Sequence, residues 1–390
     1  MPSAKILSSR GSVEHYKFHG EPVNISAVGE REWNREVFAA AHVVASPTLS
    51  PRNSARSAID WDSTLAYRDY LWDLGFGVAE ALDTAQRGMG VDWSDSLELI
   101  NRSVAHAKSR GNSPIVCGAG TDQLSVSTGL TLQDVTDAYL EQCEAIEAVG
   151  GKVVLMASRA LVFCARSPDD YLKVYSTVLS QLRAPAILHW LGEMFDPLLH
   201  GYWGSKHFSK AAATCLQVIA SNQDKVRGIK ISLLSLDKEI ELRKKLPESV
   251  RMFTGDDFNY PELIAGDSMS YSHALLGIFD AIAPVAAVAL THLAQGNEDA
   301  FFNTLNPTVP LSRLIFSAPT KYYKTGITFI AYLNGHQDHF SMIGGYESAR
   351  DLEHLSELVR LADCCGVLVD PDLAAERVQK VLGMRLSEIS

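Results

Sequence analysis

Apolar positions along the chain follow two rhythms. From His42 onward, short apolar runs alternate with longer amphipathic stretches. The runs are His42–Ser46, Gly77–Asp83, Pro114–Gly118, Lys152–Met156, Pro185–Trp190, Val226–Ser232, Val250–Thr254 and Ala274–Asp280, eight in all. Their length predicts buried strands, and the amphipathic stretches between them predict helices. Helix starts are marked by Thr131, by Ser167 with Pro168 behind it, and by the first-turn acids Asp237 and Glu239. Strands alternating with helices imply parallel β/α units with right-handed crossovers. Eight such units predict an α/β fold, the (β/α)8 TIM barrel. A doubly wound sheet is the alternative, but it needs a glycine-rich turn after its first strand, and none is present. Beyond Asp280 the rhythm is helical only, over Ala281–Gln295, Glu298–Leu305, Ala349–Ala362 and Asp372–Leu382. The loosely alternating stretch His15–Ala27, with Gly20-Glu21-Pro22 in its middle, predicts a small hairpin. The expected organisation is an N-terminal extension (1–40), a catalytic barrel (41–295) and a C-terminal helical region (296–390).

Composition narrows the function classes. The 390 residues are 46% apolar and 21% charged, enough for a sizeable core. The net charge is -11 and no Lys/Arg cluster stands out, which argues against nucleic acid as a partner. No run approaches the length of a membrane span, and Met1–Ser12 lacks the apolar core of a secretory leader. The six cysteines fit no zinc spacing and read as reduced core residues of a cytoplasmic protein.

The candidate chemistry lies at the strand ends. In Val226–Ser232, Ile229 and Ile231 share one side of the pleat, while Gly228, Lys230 and Ser232 share the other. In a barrel the isoleucines face the helices and Lys230 points inward, where desolvation lowers its pKa and makes the amine a nucleophile toward carbonyls. His189 has the pleat parity of Ile187, so it also points inward and can shuttle protons. Trp190, with Tyr202 and Trp203, could line a pocket or pack in the core. The other histidines lack metal-ligand spacing, and no resident metal is expected.

These residues resemble the dihydrodipicolinate synthase / N-acetylneuraminate lyase superfamily of Schiff-base (class I) aldolases. Gly228-Ile229-Lys230 is similar to the family strand that carries the Schiff-base lysine. Thr254-Gly255-Asp256-Asp257 is similar to the Ser/Thr-Gly-Asp-Asp at the end of the next strand. Ala186-Ile187-Leu188-His189-Trp190 stands where the family has Ile-Leu-Tyr-Asn, with His189 in place of the proton-relay tyrosine. Ile115-Val116-Cys117-Gly118-Ala119-Gly120 is similar to the third strand. The family's carboxylate-binding Gly-Thr-Thr-Gly-Glu loop appears as Leu82-Asp83-Thr84-Ala85-Gln86, with only Thr84 retained, and the aromatic loop Glu193–His207 is longer than usual. The resemblance therefore implies a divergent branch.

What it implies is a carbon–carbon lyase or aldolase acting on a keto sugar or 2-keto acid, through a covalent Schiff base on Lys230 and without a cofactor. Lys230, His189 and Thr84 take catalytic roles; Asp83, Asp256, Trp190 and Ser232 bind the substrate; Asp257 caps the helix that follows. The partners implied are a small-molecule ketone and further copies of the chain, as a homodimer or homotetramer. Two other readings stand beside this one. In the first, Asp83, His189, Asp256 and Asp280 hold a divalent ion that stabilises an enolate. In the second, the barrel binds a metabolite without turnover.

Overall fold

The computed structural model describes residues 1–25, 32–47 and 58–387. The chain forms two compact units, Arg35–Ala41 with Gly77–Leu276, and Met1–Asn34 with His42–Phe76 and Gly277–Ser390. Ten strands run in order: β1 (Ser3–Leu7), β2 (Val13–Lys17), β3 (Val37–Ala40), β4 (Gly77–Glu80), β5 (Ile115–Ala119), β6 (Val153–Leu155), β7 (Ala186–Leu191), β8 (Val226–Ser232), β9 (Arg251–Thr254) and β10 (His273–Leu276). Strands β3 to β10 pair in parallel, each with the next, and β10 returns to β3 to close an eight-stranded TIM barrel. It lies wholly within the first unit.

The lumen is filled from below by one apolar cluster. Phe38 and Ala40, Ala79, Val116, Val154, Ile187, Phe253 and Leu275 contribute from seven of the eight strands. The eighth, β8, has Gly228 at the inward position. A side chain there would stand 2.7 Å from both the Phe253 ring and the Arg251 carbonyl. Gly77 makes the same room for Phe38. The two phenylalanine rings, 6.2 Å apart, floor the barrel beneath Lys230.

Two expected boundaries move. The first barrel strand is Val37–Ala40, not His42–Ser46. The latter run is buried, but helix Trp61–Asp73 and its cap satisfy its backbone: Val44 donates to Thr64 Oγ1 (3.0 Å) and accepts from Asp60 N–H (2.8 Å). The last strand stops at Leu276, and Ile278–Ala281 is already helical. The hairpin is β1–β2, pairing Ser3 with Lys17, rather than one turning at Gly20-Glu21-Pro22; residues 26 and 27 of the expected hairpin lie outside the described residues.

In the second unit the expected helices appear as Ala283–Ala294, Glu298–Leu305, Leu352–Cys364 and Pro371–Val378. Two more lie between them, Val309–Ile315 and Tyr323–Leu333. Every residue of Tyr323–Leu333 is buried, so it lacks the polar face that would mark it as a helix in the sequence. Buried Asp363 clamps the N-terminal segment. It accepts from Tyr16 OH (2.8 Å), the His19 N–H (3.1 Å) and the Gly20 N–H (3.1 Å), and a side chain at Gly20 would collide with it. His42 and Asp280 pair inside this unit (2.8 Å), with the Tyr67 hydroxyl donating to the same carboxylate (2.9 Å). Among the described residues no helix is long and apolar enough to cross a membrane. Cys117, Cys143 and Cys215 are core residues as expected, whereas Cys364 is exposed.

Helix Leu236–Arg243 braces the loop after β9. Glu239 is buried and accepts hydrogen bonds from Thr254 Oγ1 (3.0 Å) and Ser272 Oγ (2.7 Å). Thr254 Oγ1 in turn accepts from the Asp256 N–H (3.2 Å). Burial, with the Asp256 charge adding to it, pushes the Glu239 carboxyl from 4.5 up to about 8, against the hydrogen bonds and Arg243.

Two predictions follow from these supports. Gly228→Ala should lower stability by about 1–3 kcal/mol, the usual cost of overpacking, because the Arg251 carbonyl cannot yield; urea denaturation would read this as a lower midpoint at unchanged slope. The second concerns pH. Between 4.5 and about 8 the folded chain holds a proton on Glu239 that the unfolded chain has lost, so this group's contribution to stability falls as pH rises through that window. Glu239→Gln has no such slope. Its stability relative to wild type should improve steadily from about pH 5 to about pH 8 in urea titrations, and a pH-independent difference would refute the assignment.

Candidate active site

Strand register places the central pair. His189 on β7 lies opposite Lys230 on β8, and Lys230 lies opposite Phe253 on β9. All three share the inward side of the pleat with Ile187 and Gly228. Lys230 is 7% exposed and His189 1% exposed. Burial holds the Lys230 ammonium below its ordinary pKa, while the Asp257 and then the Asp83 charges pull it back up. Burial, followed by the Lys230 charge, holds the His189 imidazole well below its usual range. His189 is therefore neutral near pH 7, and a larger share of Lys230 is free amine than in a solvated lysine.

The His189 ring has one nitrogen engaged. Nε2 lies 3.3 Å from Ser232 Oγ, and Nδ1 is buried with no hydrogen-bond partner. His189 lines a cavity of about 560 Å³ together with Asp83, Arg87, Thr121, Met156 and Asp196. An imidazole that lines a cavity and keeps one nitrogen without a partner can accept a proton, with Ser232 on its other nitrogen.

Gly255 presses on this centre from β9. Its N–H bonds the Ile231 carbonyl (2.9 Å), and a side chain on it would stand 2.7 Å from Lys230 Cε and collide with Ser232 Oγ. Gly255 is not among the candidates that the sequence offers, although its signal, the glycine of Thr254-Gly255-Asp256-Asp257, is present there. The two aspartates that follow are engaged differently. Asp256 folds back on its own loop, accepting from Phe258 N–H (2.9 Å), Asn259 N–H (3.1 Å) and Asn259 Nδ2 (2.8 Å). Asp257, expected to cap the helix, is the one whose charge acts on Lys230.

Asp83 and Thr84 sit in a single 3-10 turn, Asp83–Ala85, just beyond β4. Asp83 lines the cavity and Thr84 is buried. Trp190 does not join the site. Its pleat parity is opposite to that of His189, and its ring stacks on Phe208 (5.7 Å) and meets Trp203 edge-on (6.1 Å) among the outer helices. The aromatic loop behaves likewise: Tyr202 and Trp203 pack against Tyr171 and Tyr175, and only its tip, at Asp196, Leu198 and Leu199, reaches the cavity.

Arg87 is a cavity residue that no motif announced. Nε and Nη2 clasp the Asp122 carboxylate (3.0 and 2.6 Å), Nη1 donates to the carbonyls of Ala81 (3.2 Å) and Gly118 (2.5 Å), and Nη2 also meets Gln142 Oε1. Burial tends to raise the Asp122 pKa, but Arg87 outweighs it and holds the carboxyl below the usual carboxylate range. The divalent-ion set does not assemble. Asp256 is spent on its loop and Asp280 on His42 and Tyr67, and among the described residues no three His, Cys, Asp or Glu side chains are grouped to hold a metal.

Comparison with known proteins agrees with this architecture. Solved structures of dihydrodipicolinate synthases and their relatives share the fold. YagE, a prophage protein of E. coli K12 described as belonging to the dihydrodipicolinic acid synthase family and solved with pyruvate, superposes with a TM-score of 0.66 at 12% identity, over 86% of this chain and 99% of its own. A putative dihydrodipicolinate synthetase from Pseudomonas aeruginosa gives 0.63 at 13% identity, over 87% and 99%. Dihydrodipicolinate synthase from Aquifex aeolicus gives 0.63 at 12%, over 86% and 99%. No curated protein sequence matches the chain. A family profile does match, over residues 5–385, and the chain accordingly belongs to the family described as "Protein of unknown function (DUF993)", a divergent branch on the dihydrodipicolinate synthase fold.

Proposed function

We propose that the protein is a class I lyase or aldolase that makes or breaks a carbon–carbon bond in a keto sugar or 2-keto acid through a Schiff base on Lys230. The observation that carries this reading is the pairing of a desolvated amine with a neutral imidazole, side by side on adjacent barrel strands, with the imidazole on the wall of a cavity. The pyruvate held by the E. coli protein of the same fold is in keeping with a small carbonyl substrate.

The steps balance without an added redox partner. The free Lys230 amine adds to the ketone carbon, and the carbonyl oxygen leaves as water, with protons moved through His189 and Ser232. The resulting iminium draws in the electron pair of the bond one carbon further out, which breaks to leave an enamine. The hydroxyl on the departing carbon gives its proton to His189 and becomes a carbonyl. Asp257 and Asp83 offset the iminium charge, and Gly255 leaves the lysine stem room to swing between substrate and strand. Thr84, buried in the turn beside Asp83, completes the catalytic set.

Lys230→Arg keeps the positive charge but cannot form an imine, since guanidinium stays protonated. After borohydride reduction in the presence of a ketone substrate, intact mass should show an adduct on wild type and none on this variant; equal adducts on both would sink the Schiff-base reading. His189→Phe should slow turnover by about 10²-fold with little change in the denaturation midpoint, whereas a destabilised but fully active variant would make His189 a packing residue. Like many enzymes of this fold, the protein is expected to assemble as a dimer or tetramer; light scattering giving the mass of one chain at micromolar concentration would contradict this.

A further inference from the structure

We infer that the substrate carbon bound by Lys230 belongs to a neutral α-hydroxy ketone, as in a ketose, and not to a 2-keto acid. This inference rests on the Schiff-base reading and names the substrate class of that site.

It starts from the cations available to a substrate carboxylate. Arg87 has five N–H donors, and all five have acceptors within the protein: two on Asp122, one on Gln142, one each on the Ala81 and Gly118 carbonyls. Arg159, at the rim, turns its Nε to Asp196 and is half exposed to water. Lys230 itself becomes the iminium. Each of the two arginines on the cavity wall is therefore already paired with a carboxylate, Arg87 with Asp122 and Arg159 with Asp196.

In the turn after β4, the N–H groups of Ala85 and Gln86 are already given to the Leu82 and Asp83 carbonyls, both at 3.1 Å. Charges of the opposite sign are present instead. Asp83 lines the cavity, and Asp257 lies on the loop that presses on Lys230; both carboxylates act on the lysine's charge. A carboxylate attached directly to the iminium carbon would meet these two like charges. A hydroxyl in the same place donates to one of them and is stabilised. Further along the wall, Thr121 offers an uncharged partner for another hydroxyl.

For a ketose the step is balanced. Lys230 Nζ bonds to C2 with loss of water, and the C3–C4 bond breaks, its electron pair forming the enamine. The C4 hydroxyl proton passes to His189, so that C4 leaves as an aldehyde. C3 then takes a proton, and water hydrolyses the imine to release a hydroxy ketone and the free amine.

The test is parallel trapping on the full-length protein. Dihydroxyacetone, fructose and pyruvate are each incubated with cyanoborohydride, and the modified peptide is mapped to Lys230. The expected result is that dihydroxyacetone modifies Lys230 at least about tenfold faster than pyruvate, and that Asp83→Asn narrows the difference by raising the pyruvate rate. Modification by pyruvate at an equal or greater rate overturns the inference and leaves the Schiff base standing. No modification of Lys230 by any ketone overturns both.

Discussion

Charging a primary amine away from water is unfavourable, and the top of this barrel is arranged around that fact. Lys230 is seated among apolar strands, so its ammonium is disfavoured; Asp257 and Asp83 act on it enough to prevent the shift from running to its limit. The balance needs room as well as charge. Gly228 yields the space below the lysine to Phe253, and Gly255 yields the space beside it to the lysine stem. His189 is held neutral by the same burial and by the same lysine. The lysine's charge thus helps to set the state of the imidazole beside it.

The barrel was legible because parallel strands covered on both faces give short, nearly continuous apolar runs, and these stood apart from the amphipathic helices between them. Alternation then assigned Lys230 and His189 to the interior. The same parity rule puts Trp190 outside, since it is the immediate neighbour of His189; the signal was present, and the pull of an aromatic near a pocket obscured it. Strand β3 was lost because Val37-Phe38-Ala39-Ala40 is short and alanine-rich beside the more apolar Val43-Val44, whose hydrogen bonds go to a helix start. Helix Tyr323–Leu333 was lost for the opposite reason, having no polar face to reveal a period.

Adjacent carboxylates pose a different difficulty. Asp256 and Asp257 are chemically equivalent in the sequence, and either could turn back to its own loop. The backbone of the turn brings the N–H groups of Phe258 and Asn259 to Asp256, while Asp257 is the carboxylate whose charge acts on Lys230. Arg87 was illegible for a related reason. Its partners come from two successive β/α units, Ala81 from its own and Gly118, Asp122 and Gln142 from the next, and no local spacing encodes such a convergence.

The second unit is assembled from three stretches of chain, with most of the barrel's sequence lying between the second and the third. Its N-terminal strands are fastened to residues near the other end: Lys5 N–H to Gln379, Leu7 N–H to Ser356, and Tyr16, His19 and Gly20 to Asp363. During synthesis, the first strands therefore leave the ribosome hundreds of residues before their partners exist. All eight barrel strands are made in that interval.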